Sequence, residues 1–288
     1  MIPRPFAYHA PDSIGAAIAL LSDFGDQAKL LAGGHSLLPM MKLRFAAPEH
    51  LIDLRRIKGI RGIDMQGDEI SIGAMTTERE ILASPLLAMH LPLLVETARQ
   101  IADPQVRYKG TIGGDIAHGD PGNDHPAVML ALDARFVLVG PHGERVVPAA
   151  DFFLGTYVTA IEPDEVMTQV RISKPAVGSG ACYAKLKRKT GDFATAAAAV
   201  VLRMDRGICA DIAIALTNVA PTAMRAEAAE NALRGRPVED AAIAEAGDLA
   251  MAACEPAADL RGDEAYKRAM AGQMVRRALR TALSRCTG

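Results

Sequence analysis

Two short segments carry residue types that can hold an anion without a charged side chain. They are Leu31-Ala32-Gly33-Gly34-His35-Ser36 and Gly110-Thr111-Ile112-Gly113-Gly114-Asp115. In each, a glycine pair lies close to a hydroxyl residue and to apolar, strand-like residues. Adjacent glycines reach backbone conformations denied to other residues and let a ligand touch the main chain. Successive N–H groups in such a turn converge on a concave anion site. Ser36 or Thr111 can add a hydroxyl hydrogen bond, and each bond to a charged phosphate contributes roughly 1.5–3 kcal/mol. Two such loops suit a diphosphate held from both sides, as a dinucleotide cofactor needs. Glycine pairs also make ordinary tight turns. Neither segment reads GxGxxG or GxxxxGK followed by Ser or Thr, so the Rossmann and P-loop readings lack their sequence basis.

Other chemistry-bearing residues are sparse. His118 and His125 lack the further ligands that a metal site needs. Cys182, Cys209, Cys254 and Cys286 form no CxxC pair. That argues against a zinc ribbon, and against an iron–sulfur cluster held by this chain alone. No nucleophile–base triad is visible. His35 is either a turn residue or a ligand contact, and Asp124 either a ligand contact or the N-cap of the apolar segment after it. The basic run Lys185-Leu186-Lys187-Arg188-Lys189 reads mainly as a solvated strand edge, with Lys185 the one member that competes for a site.

The chain has 288 residues, of which 50% are hydrophobic, and a formal net charge of −2. Such a length holds two modest domains or one large one and needs no metal or disulfide to staple its core. The charge balance points to neither nucleic acid nor a membrane surface. Met1-Ile2-Pro3-Arg4-Pro5 lacks the apolar core of a signal peptide, and no uninterrupted apolar span reaches membrane length. A reduced, soluble, cytoplasmic protein is expected, either free or peripheral at the inner face of the membrane.

Several elements must position these residues. Asp12 and Ser13 precede apolar Ile14, Ile18 and Leu21, and Gly25 follows, which predicts a short capped helix. Residues 29–32, 50–54 and 69–73 read as strands, the first running straight into Gly33-Gly34. Helical stretches follow around 77–82 and 93–101, then a glycine-rich region over 110–122. Residues 135–139 and 144–147 flank Gly140-Pro141-His142-Gly143, a hairpin signal. Residues 165–172 form another strand, and Lys174-Pro175-Ala176-Val177-Gly178-Ser179-Gly180 is the best domain boundary by composition. Strands are expected near 181–187, 193–203 and 208–217. The middle one holds an alanine run that favours helix beside valines that favour strand. Helices are expected over 224–233, 239–254 and 263–285, the last with Tyr266, Met270, Met274, Ala278 and Ala282 at helical spacing, read as a core face.

Taken over longer stretches, the pattern is more specific than paired glycines. Ala32-Gly33-Gly34-His35-Ser36-Leu37-Leu38-Pro39, followed by Thr111-Ile112-Gly113-Gly114-Asp115, resembles the two FAD-binding signatures in the medium subunit of molybdenum hydroxylases. This is the family of xanthine dehydrogenase and carbon monoxide dehydrogenase. The likeness runs essentially the whole length, from Pro3-Arg4-Pro5-Phe6 to the terminal helix. The segment from Ile101-Ala102-Asp103-Pro104-Gln105-Val106-Arg107 through Gly119-Asp120-Pro121-Gly122-Asn123-Asp124 looks like the carbon monoxide dehydrogenase branch in particular. So does Lys185-Leu186-Lys187-Arg188-Lys189-Thr190-Gly191-Asp192-Phe193-Ala194.

The resemblance implies an α+β chain. Two α/β subdomains, over 1–56 and 57–177, would form an FAD-binding fold. A C-terminal domain over 178–288 would add a three-stranded antiparallel sheet and a helical bundle. It implies that Ala32, Gly33, Gly34, His35 and Ser36, with Thr111, Ile112, Gly113, Gly114 and Asp115, line the diphosphate and ribose. Ile101 and Ala102 would approach the flavin, Asn123 and Asp124 the cofactor's polar groups, and Lys185 and Phe193 the isoalloxazine. Asp115 departs from the asparagine that many relatives carry. A carboxylate beside phosphates is unfavourable, so Asp115 is expected to face ribose hydroxyls or a backbone N–H.

By the same resemblance the chain is the electron-transferring flavoprotein of a larger enzyme that converts carbon monoxide and water to carbon dioxide. Its partners would be a large molybdenum-cofactor subunit and a small subunit with 2Fe–2S clusters, in a dimer of heterotrimers. An external acceptor such as a quinone would take the electrons. A self-sufficient flavin oxidase, a related hydroxylase subunit for another substrate, and a scaffold that has lost its cofactor are the competing readings.

Overall fold

A computed structural model describes residues 2–286. In the first sheet, β1 (Ala7–His9), β2 (Ala28–Leu31) and β3 (His50–Asp53) run parallel in the order β1-β3-β2. Parallel neighbours need crossovers, here α1 (Ile14–Phe24) and α2 (Leu37–Leu43). Helix α1 begins where the Ala16 N–H donates to the Ser13 hydroxyl at 3.3 Å, and it ends at Gly25 with φ +50°. It buries Ala17, Ile18 and Leu21 in a core shared with Ala28 and Ile52.

The second sheet starts with β4 (Ile63–Gln66) and β5 (Glu69–Gly73). Six helices then follow: α3 (Glu78–Ala83), α4 (Pro85–His90), α5 (Pro92–Gln100), α6 (Pro104–Arg107), α7 (Ile112–His118) and α8 (His125–Ala131). The chain returns through β6 (Arg135–Gly140), β7 (Gly143–Pro148), the small hairpin β8 (Phe153–Gly155) and β9 (Val158–Thr159), and β10 (Val166–Ser173). The sheet is antiparallel in the order β4-β5-β10-β6-β7. Ile70, Ile72, Phe136 and Val170 share one core with Leu94, Ala98, Ile112, Ile116 and Val128 of the helices. The glycine-rich stretch over 110–122 therefore holds a helix that the glycine content had hidden. Thr111 caps α7 by accepting the Gly114 N–H at 3.2 Å, and Gly119 ends it at φ +63°.

The third sheet is antiparallel and consists of β11 (Ser179–Leu186), β12 (Ala196–Asp205), β13 (Ile208–Thr217) and β14 (Met224–Arg225), in that order. It has one short strand more than expected, because Met224 and Arg225 pair with β13 instead of opening a helix. Helix α9 begins only at Glu227 (Glu227–Leu233), followed by α10 (Asp240–Ala252) and α11 (Glu264–Arg285). The alanine run is strand. Its side chains alternate between two cores: Ala197 and Ala199 face the helices of the second layer, whereas Ala196, Ala198 and Val200 face α9 to α11. A two-residue period buried on both faces overrides alanine's helical preference. In α11, Met274, Ala278 and Ala282 are core, while Tyr266 is exposed. Among the described residues no helix is long and apolar enough to cross a membrane.

Gly180 lets β11 press against the end of α11. A Cβ there would lie 2.0 Å from the Ala282 carbonyl oxygen and 2.8 Å from the Cys286 nitrogen. Gly180→Ala should destabilise the chain by about 1–3 kcal/mol through overpacking against backbone. A lower midpoint in urea unfolding is the expected result, and an unchanged midpoint would mean that α11 is not pinned at this contact.

Candidate functional site

A cleft of about 720 Å³ opens between the parallel sheet, the helical layer and the edge of the third sheet. That volume lies within the range of roughly 300–1,000 Å³ usual for ligand and cofactor sites. One group of lining residues is apolar: Leu21, Leu54, Met75 and Val166. A second comprises the two glycine loops. A third gathers Ile101, Ala102, Asn123, Asp124, Lys185 and Phe193 from three separate stretches of chain.

The two glycine loops meet. A Cβ on Gly33 would stand 2.5 Å from the Lys109 carbonyl oxygen and 2.8 Å from the Gly110 Cα, so only a bare main chain fits there. On Gly114 a Cβ would lie 3.3 Å from the Ala32 Cβ. Gly34, at φ +79°, turns the chain out of β2 into α2. The loops nevertheless offer different things to a ligand. The N–H groups of Gly33, Gly34, His35 and Ser36 donate to no backbone acceptor among the described residues. In the second loop all donors but the Thr111 N–H are already used. Ile112 N–H goes to the Thr76 carbonyl at 3.0 Å, Gly113 N–H to Ala74 at 2.9 Å and Gly114 N–H to the Thr111 hydroxyl at 3.2 Å. Free amide donors are thus concentrated in the first loop, and close approach is the main contribution of the second.

Charged groups are buried in pairs behind the cleft. Lys185 Nζ lies 2.7 Å from Asp124 Oδ2, with side-chain exposures of 1% and 6%. The Tyr183 hydroxyl donates to the other Asp124 oxygen. Asp124 stands at the N-cap position of α8, yet its side chain caps nothing, because both oxygens are taken by these partners. The period of β11 explains why Lys185 arrives here. Tyr183 belongs to the core of the helical layer, and Lys185 lies two residues on and hence on the same face. A second pair, His125 and Glu78, is fully enclosed, with Nε2 2.9 Å from Glu78 Oε2. Burial alone would push this imidazole down, but the Glu78 charge and hydrogen bond hold it at about 9. Asp115 is different. Burial pushes its carboxyl up to about 7, and its Oδ2 is enclosed with no hydrogen-bond partner. Asn123 donates to the Asp115 backbone carbonyl at 2.9 Å, fixing α7 against the start of α8.

Ile101 and Ala102 reach the cleft from a strained turn. Ala102 has φ +41°, unusual for a residue with a Cβ. Arg107 Nη1 donates to the Ile101 carbonyl at 2.8 Å, and Asp103 caps α6 through the Gln105 and Val106 N–H groups.

Of the residues singled out in the sequence, Ala32, Gly33, Gly34, His35, Ser36, Ile101, Ala102, Thr111, Gly113, Gly114, Asp115, Asn123, Asp124, Lys185 and Phe193 all line this one cleft. Ile112 does not. Its side chain is fully buried in the core of the helical layer, because the first helical residue after a cap on this face points inward. Sequence reasoning passed over Glu78 and Tyr183, and it weighed His125 only as a metal ligand. Among the described residues no group of His, Cys, Asp and Glu could hold a metal ion. Only the adjacency of His125 to Asn123-Asp124 hinted at its place, since its partner is 47 residues away.

Comparison with known proteins places these features in a family. Residues 4–175 match the model of the FAD binding domain in molybdopterin dehydrogenase. Residues 181–282 match the CO dehydrogenase flavoprotein C-terminal domain. The chain is 60% identical to the carbon monoxide dehydrogenase medium chain of Hydrogenophaga pseudoflava, over 99% of this chain and 100% of that one. It is 52% identical to the medium chain from Afipia carboxidovorans, over 99% of each. A solved structure of the carbon monoxide dehydrogenase from Hydrogenophaga pseudoflava, lacking the Mo-pyranopterin moiety, superposes with a TM-score of 0.99 at 62% identity, covering 100% of both chains.

Two outcomes follow from the geometry. Gly33→Ala should force the loops apart and destabilise the chain by about 1–3 kcal/mol. A melting temperature equal to the parent's would show that the contact at Lys109 yields freely. The His125–Glu78 pair makes stability depend on pH, because His125 binds its proton more tightly folded than unfolded. Its contribution is complete below about 6.5 and is lost as pH rises through about 9. Unfolding midpoints of the parent should therefore fall between pH 6.5 and 9.5, and those of His125→Gln should fall less over the same window. Parallel curves would remove the imidazolium from the account.

Proposed function

Because this chain belongs to the family of FAD-binding medium chains of the molybdopterin dehydrogenases, we propose that it is the subunit through which electrons leave a carbon monoxide dehydrogenase. It is an oxidoreductase subunit, and its cofactor is FAD. In this reading carbon monoxide and water become carbon dioxide at a molybdenum centre on a large partner subunit. Electrons pass through 2Fe–2S clusters of a small partner to this chain, and an external acceptor such as a quinone receives them. The assembly is a dimer of such heterotrimers. The observation that carries the reading is the end-to-end match to carbon monoxide dehydrogenase medium chains in a molecule whose bare glycine loops meet inside a cofactor-sized cleft.

When bound, FAD supplies a redox centre that takes and gives electrons singly or in pairs; the protein binds it, orients it and tunes it. The residues present fit that group. The free N–H groups of residues 33–36 are donors for a diphosphate, with Ala32, His35 and the Ser36 hydroxyl at their margin. Gly113 and Gly114 let the opposite wall approach closely, the Thr111 hydroxyl caps it, and Ile112 anchors it from the core. Asp115 takes up a protonated or hydrogen-bonded state there, since burial disfavours its charge. Ile101, Ala102 and Phe193 form apolar walls for the ring, and Asn123, Asp124 and Lys185 supply its polar surroundings. No side chain has to act as a nucleophile.

The Lys185–Asp124 contact qualifies the effect of the lysine. A lone ammonium beside the ring would favour the reduced, anionic cofactor, but here a carboxylate 2.7 Å away cancels much of its field. The two members should act with opposite signs. In the assembled enzyme Lys185→Gln should lower the flavin midpoint potential and Asp124→Asn should raise it, each by tens of millivolts, about 59 mV for one electron corresponding to roughly 1.4 kcal/mol. Spectroelectrochemistry giving shifts of one sign, or none, would move the pair away from the ring. The reading as a whole is tested by purifying the chain with its native partners and measuring bound flavin and carbon monoxide:dye reductase activity. Both should be present, and a flavin-free active complex would end it.

A further inference from the structure

Phe193 is held from a distance. It sits on the loop between β11 and β12, is 44% exposed, and lines the cleft beside Lys185 and Ala102. A free aromatic ring on a surface loop costs little to rotate, yet this one is surrounded by fixed contacts. On one side a Cβ at Gly122 would lie 3.4 Å from its ring, so the ring packs against the bare main chain of the loop that leads to Asn123 and Asp124. Gly191, at φ +84°, runs the same loop beside Ala102, whose carbonyl carbon would lie 3.8 Å from a Cβ placed on the glycine. On the other side stands Arg261, from the connection between α10 and α11. Its guanidinium carbon is 5.3 Å from the Phe193 ring centroid.

Arg261 does more than face the ring. Its Nε and Nη2 donate to Asp192 Oδ1 at 3.1 and 3.0 Å, and the same oxygen accepts the Phe193 N–H at 2.9 Å. Arg188 Nε donates to the other Asp192 oxygen at 2.9 Å, and its Nη1 reaches the Leu260 carbonyl at 2.9 Å. Asp259 completes the tie, bonding Lys267 of α11 at 2.9 Å. The Asp192 side chain is only 6% exposed, so it depends on both guanidinium partners to offset its desolvation. These two arginines hold its carboxyl below the usual carboxylate range against the opposing effect of burial.

We propose that Arg261 is a positioning residue. Through Asp192 and the ring face it straps Phe193 across the Lys185 side of the cleft, so that the connection between α10 and α11 controls how firmly the cofactor's ring end is closed in. A ring so placed blocks departure of the isoalloxazine without contacting the diphosphate loops. The retention arm rests on the reading of this cleft as the FAD site, whereas the positioning of the loop stands apart from it.

Hydrogen exchange and cofactor release test the two parts separately. In the full chain without cofactor, Arg261→Met should raise amide exchange over residues 188–195 by about tenfold or more while the α11 amides stay protected. Arg261→Lys, which keeps the charge but loses the fork, should recover part of the protection. In the assembled enzyme Arg261→Met and Phe193→Ala should each speed FAD release several-fold. Their combination should be no faster than Phe193→Ala alone, as coupled residues behave. Unchanged exchange in Arg261→Met overturns the strap. Multiplying effects in the double variant overturn its action through Phe193. Loop exchange that rises in an enzyme binding no FAD would leave the strap standing and defeat the cofactor reading instead.

Discussion

Main chain against main chain, at Gly33 and Gly110, is the contact on which the cleft depends. The parallel sheet and the helical layer belong to different stretches of chain, and they can share a ligand only if nothing but backbone separates their loops. A Cβ at residue 33 would overlap the Lys109 carbonyl oxygen at 2.5 Å, and one at residue 113 would overlap the Ala74 Cβ at the same distance. Both glycines are therefore steric requirements. Of the glycines in the two loops, only Gly34 uses the positive φ that glycine tolerates. Once the layers meet, the donors divide unevenly. Helix α7 spends its first N–H groups on Thr76, Ala74 and Thr111, which locks it in place, and the strand-to-helix turn at residues 33–36 keeps its own free.

The third sheet completes the site through periodicity. Its strands are buried on both faces, so each residue is assigned to one core or the other by parity. The small alanines on the inner face let the helical layer approach, and the same parity that sends Tyr183 into that layer sends Lys185 to the cleft wall. The lysine arrives in a low-dielectric setting where an unpaired ammonium would be expensive. Asp124 meets it there and gives up helix capping to do so. The His125–Glu78 pair follows the same rule one layer deeper. The Lys185–Asp124 and His125–Glu78 charges are balanced by pairing, whereas Asp115 Oδ2 is enclosed without a protein partner and burial raises its carboxyl to about 7.

This arrangement suits a subunit whose task is to seat and tune a cofactor. The positions that face the cleft are glycines, apolar walls and paired charges, and the strongest constraints fall on backbone approach and on field. Loops from all three sheets contribute, so the site is a property of their packing. The Arg188–Asp192–Arg261 cluster extends the same logic to the rim, where ionic ties fix an otherwise mobile aromatic ring.

Much was legible in the residues themselves. Ser13 and Gly25 bounded a helix, Gly140 to Gly143 marked a hairpin, and the paired glycines with their flanking residues carried the family likeness, because caps, turns and close approaches demand particular residue types locally. A strand near 193–203 was expected and is found over Ala196–Asp205, but its alanines left helix open as well, since burial on both faces, which decides for strand, is not recorded in any local preference. The helix over Ile112–His118 was not legible, its glycines being there because a Cβ would press on Ala74, Thr111 and Ala32. Lys185, His125 and Arg261 lie 61, 47 and 69 residues from Asp124, Glu78 and Asp192, the carboxylates they pair with. Ion pairs of that span are set by which layers meet, and only the tertiary structure decides that.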